Sequence, residues 1–503
     1  MGTLPLLAVL TVQAALSLRL VRADTAFQDE AAYLSAGHLE WAHWLHGTPV
    51  PPFAAYFSGA PVLYPPVGAL ADSAAGLAGA RILSLIFMLG ATVLAWGTTS
   101  ALYGRRAAFF AAALFAIAGP TLHLGAFATY DALSVLLIAL AAWFVVRAGN
   151  RGEGTGWMAA AGAALAVANA AAYSSALFDL VVLALAALVA WPGGGRLAVR
   201  RCSVLLIVVV VLAGAGLLAG GSAYLTGIKQ TTLARVGGAD SALSVLSAAW
   251  SWTGIVLVLA VLGVIISWAS RGGVVRTLLL AVLAAAALLS PLEQAHLNTV
   301  ASLNKHVALG AWFAAIAAGY AVDAVIAAAP AGRMQTITCG ACVVALVFPL
   351  SLGAAQSWTF STDWPNASSF IAIFRPLADH GNGRLLVEDG SIARYYLPSG
   401  SQWQRWSTTR NIVLASDAST GGPSSTAGVT GAGNAGVFAE FITRGYFSFV
   451  ALNFADTTTL DHQIAADLRH NHRYHIIDVI PYGIEVPPSG QGTYVIWRYE
   501  PHP

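Results

Sequence analysis

Charge is scarce in this sequence. Of 503 residues only 10% are Asp, Glu, Lys or Arg, whereas 57% are apolar, and the formal net charge is +2. A soluble domain carries about 25% charged and about 45–50% apolar residues. With a mean hydropathy of +0.70, the composition excludes a soluble globular enzyme and a disordered chain. It also excludes a nucleic-acid binder, because there is no basic surface to meet phosphates. Cysteine is nearly absent as well: Cys339 and Cys342 fall within one apolar stretch and Cys202 within another, where packing is the expected role. That leaves no redox or metal motif. No Walker or Rossmann loop occurs, which excludes nucleotide-driven chemistry. Lysine appears twice, as Lys229 and Lys305. In a chain rich in Ala, Gly and Arg this scarcity points to codon bias, and it makes the two that remain informative.

What is abundant is long apolar segments. A helix crossing about 30 Å of hydrocarbon needs roughly 17–25 mainly apolar residues, because lipid cannot satisfy a bare backbone. Eleven stretches are candidates, near 3–20, 82–102, 107–124, 132–147, 157–173, 176–192, 203–220, 253–269, 277–290, 306–328 and 335–353, of which 132–147 and 277–290 are short. Short connections carrying Arg105/Arg106, Arg147/Arg151, Arg196/Arg200/Arg201, Arg271/Arg276 and Arg333 alternate with connections rich in acids and histidine. Positive loops stay cytoplasmic, so eleven spans predict an inner amino terminus and an outer carboxyl terminus. The first stretch lacks a positive region ahead of its apolar run, which favours a retained helix over a secretory leader.

Charge is distributed unevenly. Residues 1–355 hold 16 Lys/Arg and 11 Asp/Glu, and residues 356–503 hold 9 and 12, about twice the density. The predicted fold is therefore mainly α, a polytopic helix bundle over 1–355 followed by an extracytoplasmic α/β or α+β domain over 356–503. Two outer connections exceed mere links, 23–80 and 221–252. The first holds Trp41, Trp44, Phe53, Tyr56, Phe57 and Tyr64 with two Pro-Pro pairs, a pattern for short helices lying in the membrane interface. In the outer domain, 385–387, 447–452, 474–480 and 493–498 predict strands and 459–470 an amphipathic helix. Residues 416–436, with no periodicity, predict a flexible loop.

The candidate chemistry faces outward. Asp29-Glu30 follows the first span, and a solvated acid pair is its plain alternative. Asp131 opens the fourth span, where helix capping and function are equal rivals. Lys305 and His306 open the tenth span, with Glu293 and His296 just upstream. A compact ammonium suits a phosphate oxygen, and snorkelling at a helix end is the alternative. Asn366-Ala367-Ser368 is a glycosylation sequon by pattern.

The order and placement of several motifs resemble the C-type membrane glycosyltransferases, in the branch of protein O-mannosyltransferases and lipid A aminoarabinose transferases. The motifs are Asp29-Glu30 in a long outer loop, the aromatic and proline stretch Gly59–Pro66, Ala80-Arg81, Gly104-Arg105-Arg106, and Tyr130-Asp131. The resemblance covers most of residues 20–150 and more weakly the Lys305 region and the tail. It implies an inverting transfer of sugar from a polyprenyl phosphate donor to an acceptor hydroxyl on protein, lipid or glycan, at the outer face of the plasma membrane. It implies Asp29 as general base with Glu30 beside it, and Asp131 supporting the site. Arg81, Lys229 and Lys305 become candidates for the donor phosphate by location, with Tyr64, His296 and His306 as substrate contacts. Any divalent cation would sit on Asp29 and Asp131, and no ligand spacing demands one.

Two rivals come from other classes. A flippase of lipid-linked sugars would show broken helices and mid-membrane charge in matched halves, but here only Asp179 and Asp323 are acids within spans, both near an end. A non-catalytic assembly protein would use the outer domain alone, with Trp358, Trp364, Trp403 and Trp406 in its core or stacked on sugar.

Overall fold

All eleven apolar stretches are helical in the computed structural model of the chain, which describes residues 3–149, 154–235, 237–379, 383–388, 390–397, 403–409, 435–455, 457–483 and 491–501. The helices are α1 (Leu4–Leu18), α2 (Gln28–His46), α3 (Tyr64–Tyr103), α4 (Arg105–Ala116), α5 (Gly119–Leu124), α6 (Tyr130–Gly149), α7 (Thr155–Ala171), α8 (Asp179–Ala190) and α9 (Gly195–Ile228). After them come α10 (Ala242–Ala269), α11 (Val274–His296), α12 (Leu303–Ala328), α13 (Arg333–Ala345), α14 (Val347–Phe360), α15 (Ser368–Asp379), α16 (Gly390–Tyr396), α17 (Ala435–Thr443) and α18 (Thr458–His470). Five strands lie among the last of these: β1 (Arg384–Val387), β2 (Trp406–Thr408), β3 (Phe447–Leu452), β4 (Tyr474–Gly483) and β5 (Gln491–Tyr499).

The chain divides into two compact units, Met1–Ala23 with Pro52–Ser361, and Asp24–Pro51 with Thr362–Pro503. Eight helical segments of the first unit are long and apolar enough to cross a membrane by length and composition. The α1 helix, at 15 residues, is apolar but shorter. Leu206, Ile207, Val210, Val211 on α9 and Val344, Val347, Phe348 on α13 and α14 are exposed. Side chains of this kind face outward where the solvent is lipid. The unit belongs to an integral membrane protein.

Small residues let its helices approach closely. Gly310 on α12 meets the backbone of Ala286 and Ala287 on α11, and Gly319 meets Ala107 and Ala111 on α4. The result is a central helix, α12, packed by α4, α10 and α11 and buried along most of its length. Trp312 is 1% exposed and ties α12 to α3 through an indole hydrogen bond to the Ala91 carbonyl, 2.9 Å.

Three breaks shape the bundle. In α3 the axis turns at Ala75–Gly76, where Gly76 has φ +64, a left-handed conformation costly for any residue with a Cβ. The stretch predicted as one span at 107–124 breaks between α4 and α5, where Ala118 takes the extended N-cap conformation and Pro120 lies in the first turn of α5, where its missing amide costs no helical bond. The third corrects an expectation. Residues 221–252 were predicted as a long outer connection, yet α9 runs to Ile228 through a kink at Gly221 and a π-helical turn covers Lys229–Leu233. The α10 helix then begins at Ala242, so helix fills most of this segment because the backbone keeps its hydrogen bonds while the side chains turn polar.

The second unit is built on a mixed sheet of order β2-β1-β3-β5-β4. Strands β2, β1 and β3 run parallel, and β5 and β4 add antiparallel. Leu385 and Val387 pack one face against α15 and α16, and Leu386 and Val450 pack the other against α17 and α18. Alternation along β1 thus feeds two helical layers. The unit also takes in a segment that the sequence places in the membrane half. The Trp364 indole donates to the Thr25 carbonyl (3.0 Å), Asn366 donates to Asp24 (2.7 Å), and the Ala26 amide donates to the Tyr396 hydroxyl (2.7 Å). The α2 helix packs on α16. The expected loop at 416–436 lies outside the described residues up to 434, and its last two residues instead open α17.

Candidate active site

The first unit gathers charge at the amino-terminal ends of its helices. Gly90 leaves room for Leu136 and, two turns on along both helices, Gly97 leaves room for Trp143. So α3 and α6 run parallel, and this register brings Arg81 level with the residues just before α6. The Trp312–Ala91 bond sets α12 alongside in the same way. Arg81, Asp131 and Lys305, far apart in sequence, come to one end of the bundle.

Asp131 is the one buried carboxylate among the described residues of this unit, 5% exposed. The Thr129 hydroxyl donates to its Oδ2 at 2.7 Å. Lys305 Nζ lies 3.9 Å from Oδ2 and His306 Nε2 lies 4.0 Å from Oδ1. One hydroxyl and two basic side chains make an ionic centre, which is more than a helix cap. Lys305 also sits over the Phe127 ring, 5.6 Å from its centroid, where the ring quadrupole favours a cation. Arg81, 1% exposed, donates to the Val21 carbonyl at 3.0 Å.

A second layer orients these groups. Gln294 is fully buried; its Nε2 donates to the Thr299 and Ala301 carbonyls (2.9 and 3.1 Å) and its Oε1 accepts from His306 Nδ1 at 2.6 Å. Two carbonyls on one side fix the carboxamide, so Nδ1 carries a proton and Nε2 is the ring nitrogen turned to Asp131. His123 is buried against Phe127, ring centroids 4.6 Å apart, and shares a hydrogen bond with Ser361, 3.0 Å. Arg81 and Lys305 both lie near enough to act on it electrostatically. Gln294 and His123 were not singled out from sequence. The signal for Gln294 was its place beside Glu293, one helical turn past the end of the predicted span 277–290.

The remaining candidates lie elsewhere. Tyr64 is fully buried at the first residue of α3. Lys229 is exposed on the π-helical turn, and His296 is exposed at the end of α11. Cys339 and Cys342 are half-buried free thiols. Asp323 pairs with Arg106, tying α12 to α4, and Asp179 accepts from Asn169 at 2.7 Å. Both acids thus have local structural partners.

Asp29 and Glu30 belong to the second unit. Glu30 is fully buried, and its Oε2 accepts from the Phe27 amide at 2.9 Å, closing the first turn of α2 as a carboxylate at that position does. Asp29 is half-buried on the same turn. No three His, Cys, Asp or Glu side chains meet among the described residues. The neighbour of Asp131 is an ammonium group, a poor companion for a divalent ion, so the residues at Asp131 do not fit a metal cage.

A family model described as dolichyl-phosphate-mannose-protein mannosyltransferase matches residues 69–217. Comparison of the sequence with curated proteins gives no match. The fold is similar to that of ArnT from Cupriavidus metallidurans bound to undecaprenyl phosphate, with TM-score 0.60 and 15% identity over 99% of this chain and 98% of that one. It is also similar to the archaeal oligosaccharyltransferase AglB from Archaeoglobus fulgidus in complex with an inhibitory peptide and a dolichol-phosphate, with TM-score 0.54 and 14% identity over 97% of this chain and 74% of that one. The chain thus shares the fold of ArnT and AglB, and within it residues 69–217 are similar to the mannosyltransferase family.

Proposed function

We propose that the protein moves a sugar from a polyprenyl phosphate donor to an acceptor hydroxyl at the outer face of the plasma membrane, with inversion at the anomeric carbon. The observation that carries this reading is the buried pairing of Asp131 with Lys305 and His306, with Arg81 buried at the same end of the bundle beside His123, in a unit whose surface is apolar. A lipid-linked phosphate needs cations where its isoprenoid tail can stay in hydrocarbon. Both solved relatives described above carry a polyprenyl phosphate by name.

Each group has a role. Asp29 accepts the acceptor proton as the new bond from acceptor oxygen to anomeric carbon forms and the bond from anomeric carbon to phosphate oxygen breaks. The polyprenyl phosphate leaves with that electron pair. Arg81 and Lys305 stabilise the charge gathering on it, worth most in a water-poor site. Asp131 holds Lys305 and His306 in place, and Gln294 fixes the ring that faces Asp131. The acceptor is a hydroxyl on protein, lipid or glycan. Lys229, exposed at the end of α9, serves at most as an outer attraction for the donor.

The test uses the full chain in lipid nanodiscs with polyprenyl phosphomannose, following release of polyprenyl phosphate. A general base contributes about 10²–10⁴-fold, so Asp29→Asn should lower release by at least a hundredfold with an unchanged melting temperature. Normal turnover by that variant would remove Asp29 from the mechanism.

A further inference from the structure

The second unit holds a cavity of about 250 Å³ that the transfer chemistry above does not use. It opens at the carboxyl ends of β1 and β3: Val387 and Glu388 end one strand, Ala451 and Asn453 the other. From β1 the chain passes to β2 on one side and then crosses to β3 on the other. That reversal makes a crevice outside the carboxyl ends of the strands, the place where open parallel sheets bind ligands. The position follows from topology and the cavity from side-chain packing, so the two observations are independent.

The lining states the ligand class. Phe27 and Trp364 contribute rings 5.3 Å apart, and Tyr494 a ring stacked on Phe370. Gln28 and Asn453 supply carboxamides that can donate and accept, and Asp363 and Glu388 supply carboxylates. No Lys or Arg lines the cavity among the described residues, so phosphate and acidic sugars are poorly matched. Drug-sized ligands occupy roughly 300–1,000 Å³, and this space suits a single ring. Aromatic faces beside hydrogen-bonding groups suit a ring with an apolar face and a hydroxylated edge. Gln28 borders Asp29 in the chain and Phe27 precedes it by two residues, and the bond from the Phe27 amide to Glu30 holds that turn.

We propose that this cavity is a binding site for a neutral hexopyranose ring, the sugar portion of the acceptor. Its role in transfer rests on the reading of Asp29 as base, while its capacity to bind sugar does not. Asp363 and Gln28 select the ring through its hydroxyls, and Trp364 packs on its face.

Saturation-transfer NMR on the full chain in nanodiscs, titrated with methyl mannopyranoside, tests the site directly. Asp363→Asn combined with Gln28→Ala spares the Trp364–Thr25 bond and the Glu388 network, and a melting curve confirms that the variant is folded. The wild type should bind the pyranoside saturably, and the double variant at least tenfold more weakly. Equal affinity in both forms, no binding to the wild type, or tighter binding of glucuronate than of the neutral sugar would overturn the proposal. Failure of the transferase reading has a separate signature, an absence of polyprenyl phosphate release from a protein that still binds the pyranoside.

Discussion

The two units bury charge by opposite means. In the first, Asp131 meets the Lys305 ammonium, so unlike charges compensate one another where the surroundings cannot, and the His306 ring lies beside them. In the second, two acids lie together. Glu388 is 2% exposed and accepts from the amides of Asn453, Ala455 and Thr457 at 2.9, 2.9 and 3.1 Å. Asp461, fully buried, accepts from the Thr457 hydroxyl at 2.9 Å. Burial, and then the neighbouring Glu388 charge, push its carboxyl up to about 8. A retained proton thus does for Asp461 what a cation does for Asp131. The difference teaches where function lies. Backbone amides and a proton make a static brace for the loop after β3, whereas basic side chains around a lone acid make a centre that an anionic ligand can join.

The comparison can be broken at several points. The largest effect is expected from Asp131→Ala, which leaves Lys305 buried without its carboxylate; breaking a buried pair costs about 3–5 kcal/mol. The thermal midpoint in nanodiscs should fall sharply, and the double change Asp131→Asn with Lys305→Gln should recover most of the loss. Equal damage by the single and double changes would mean that the pair is not coupled.

The acid pair gives the next effect, and its sign is fixed. Between the ordinary carboxyl value of 3.8 and about 8, the folded unit holds a proton that the unfolded chain has released. Its stability therefore falls as pH rises through that window. Asp461→Asn keeps a neutral partner for Glu388 and should flatten the dependence, read as the shift in thermal midpoint between pH 5 and pH 8. A profile as steep as that of the wild type would place the proton elsewhere.

The smallest effect comes from the backbone. Nothing lies within 4 Å of a Cβ built on Gly76, whose φ is +64 and ψ −162, so Gly76→Ala should cost about 1–3 kcal/mol from the backbone conformation alone. A larger loss would point to a packing role for the kink.

The helices were legible in the sequence because lipid imposes length and apolarity together; every stretch predicted to span is helical. Three predicted strands lengthen by a few residues at most, and 447–452 matches β3. The short strand β2 carries Trp406-Ser407-Thr408, too few residues to show alternation, and was missed. So were α15, α16 and α17, short helices stabilised by the sheet that they cover. Composition could not show that 24–51 joins the carboxyl-terminal unit, since its ties are hydrogen bonds to residues more than 300 positions away. Asp131, Lys305 and His306 were each picked out singly from helix ends and scarcity. Their meeting needs the parallel register of α3, α6 and α12, which no local pattern states.

The central claim is that the basic group in the first unit holds a lipid-linked phosphate. Its most direct test is equilibrium binding of polyprenyl phosphate to the full chain in nanodiscs, compared with the Asp131→Asn/Lys305→Gln form and with that form carrying Arg81→Gln. The account predicts affinity that falls at least tenfold in the first form, about 1.4 kcal/mol, and further in the second, with both remaining folded. Unchanged affinity in the triple variant would contradict it.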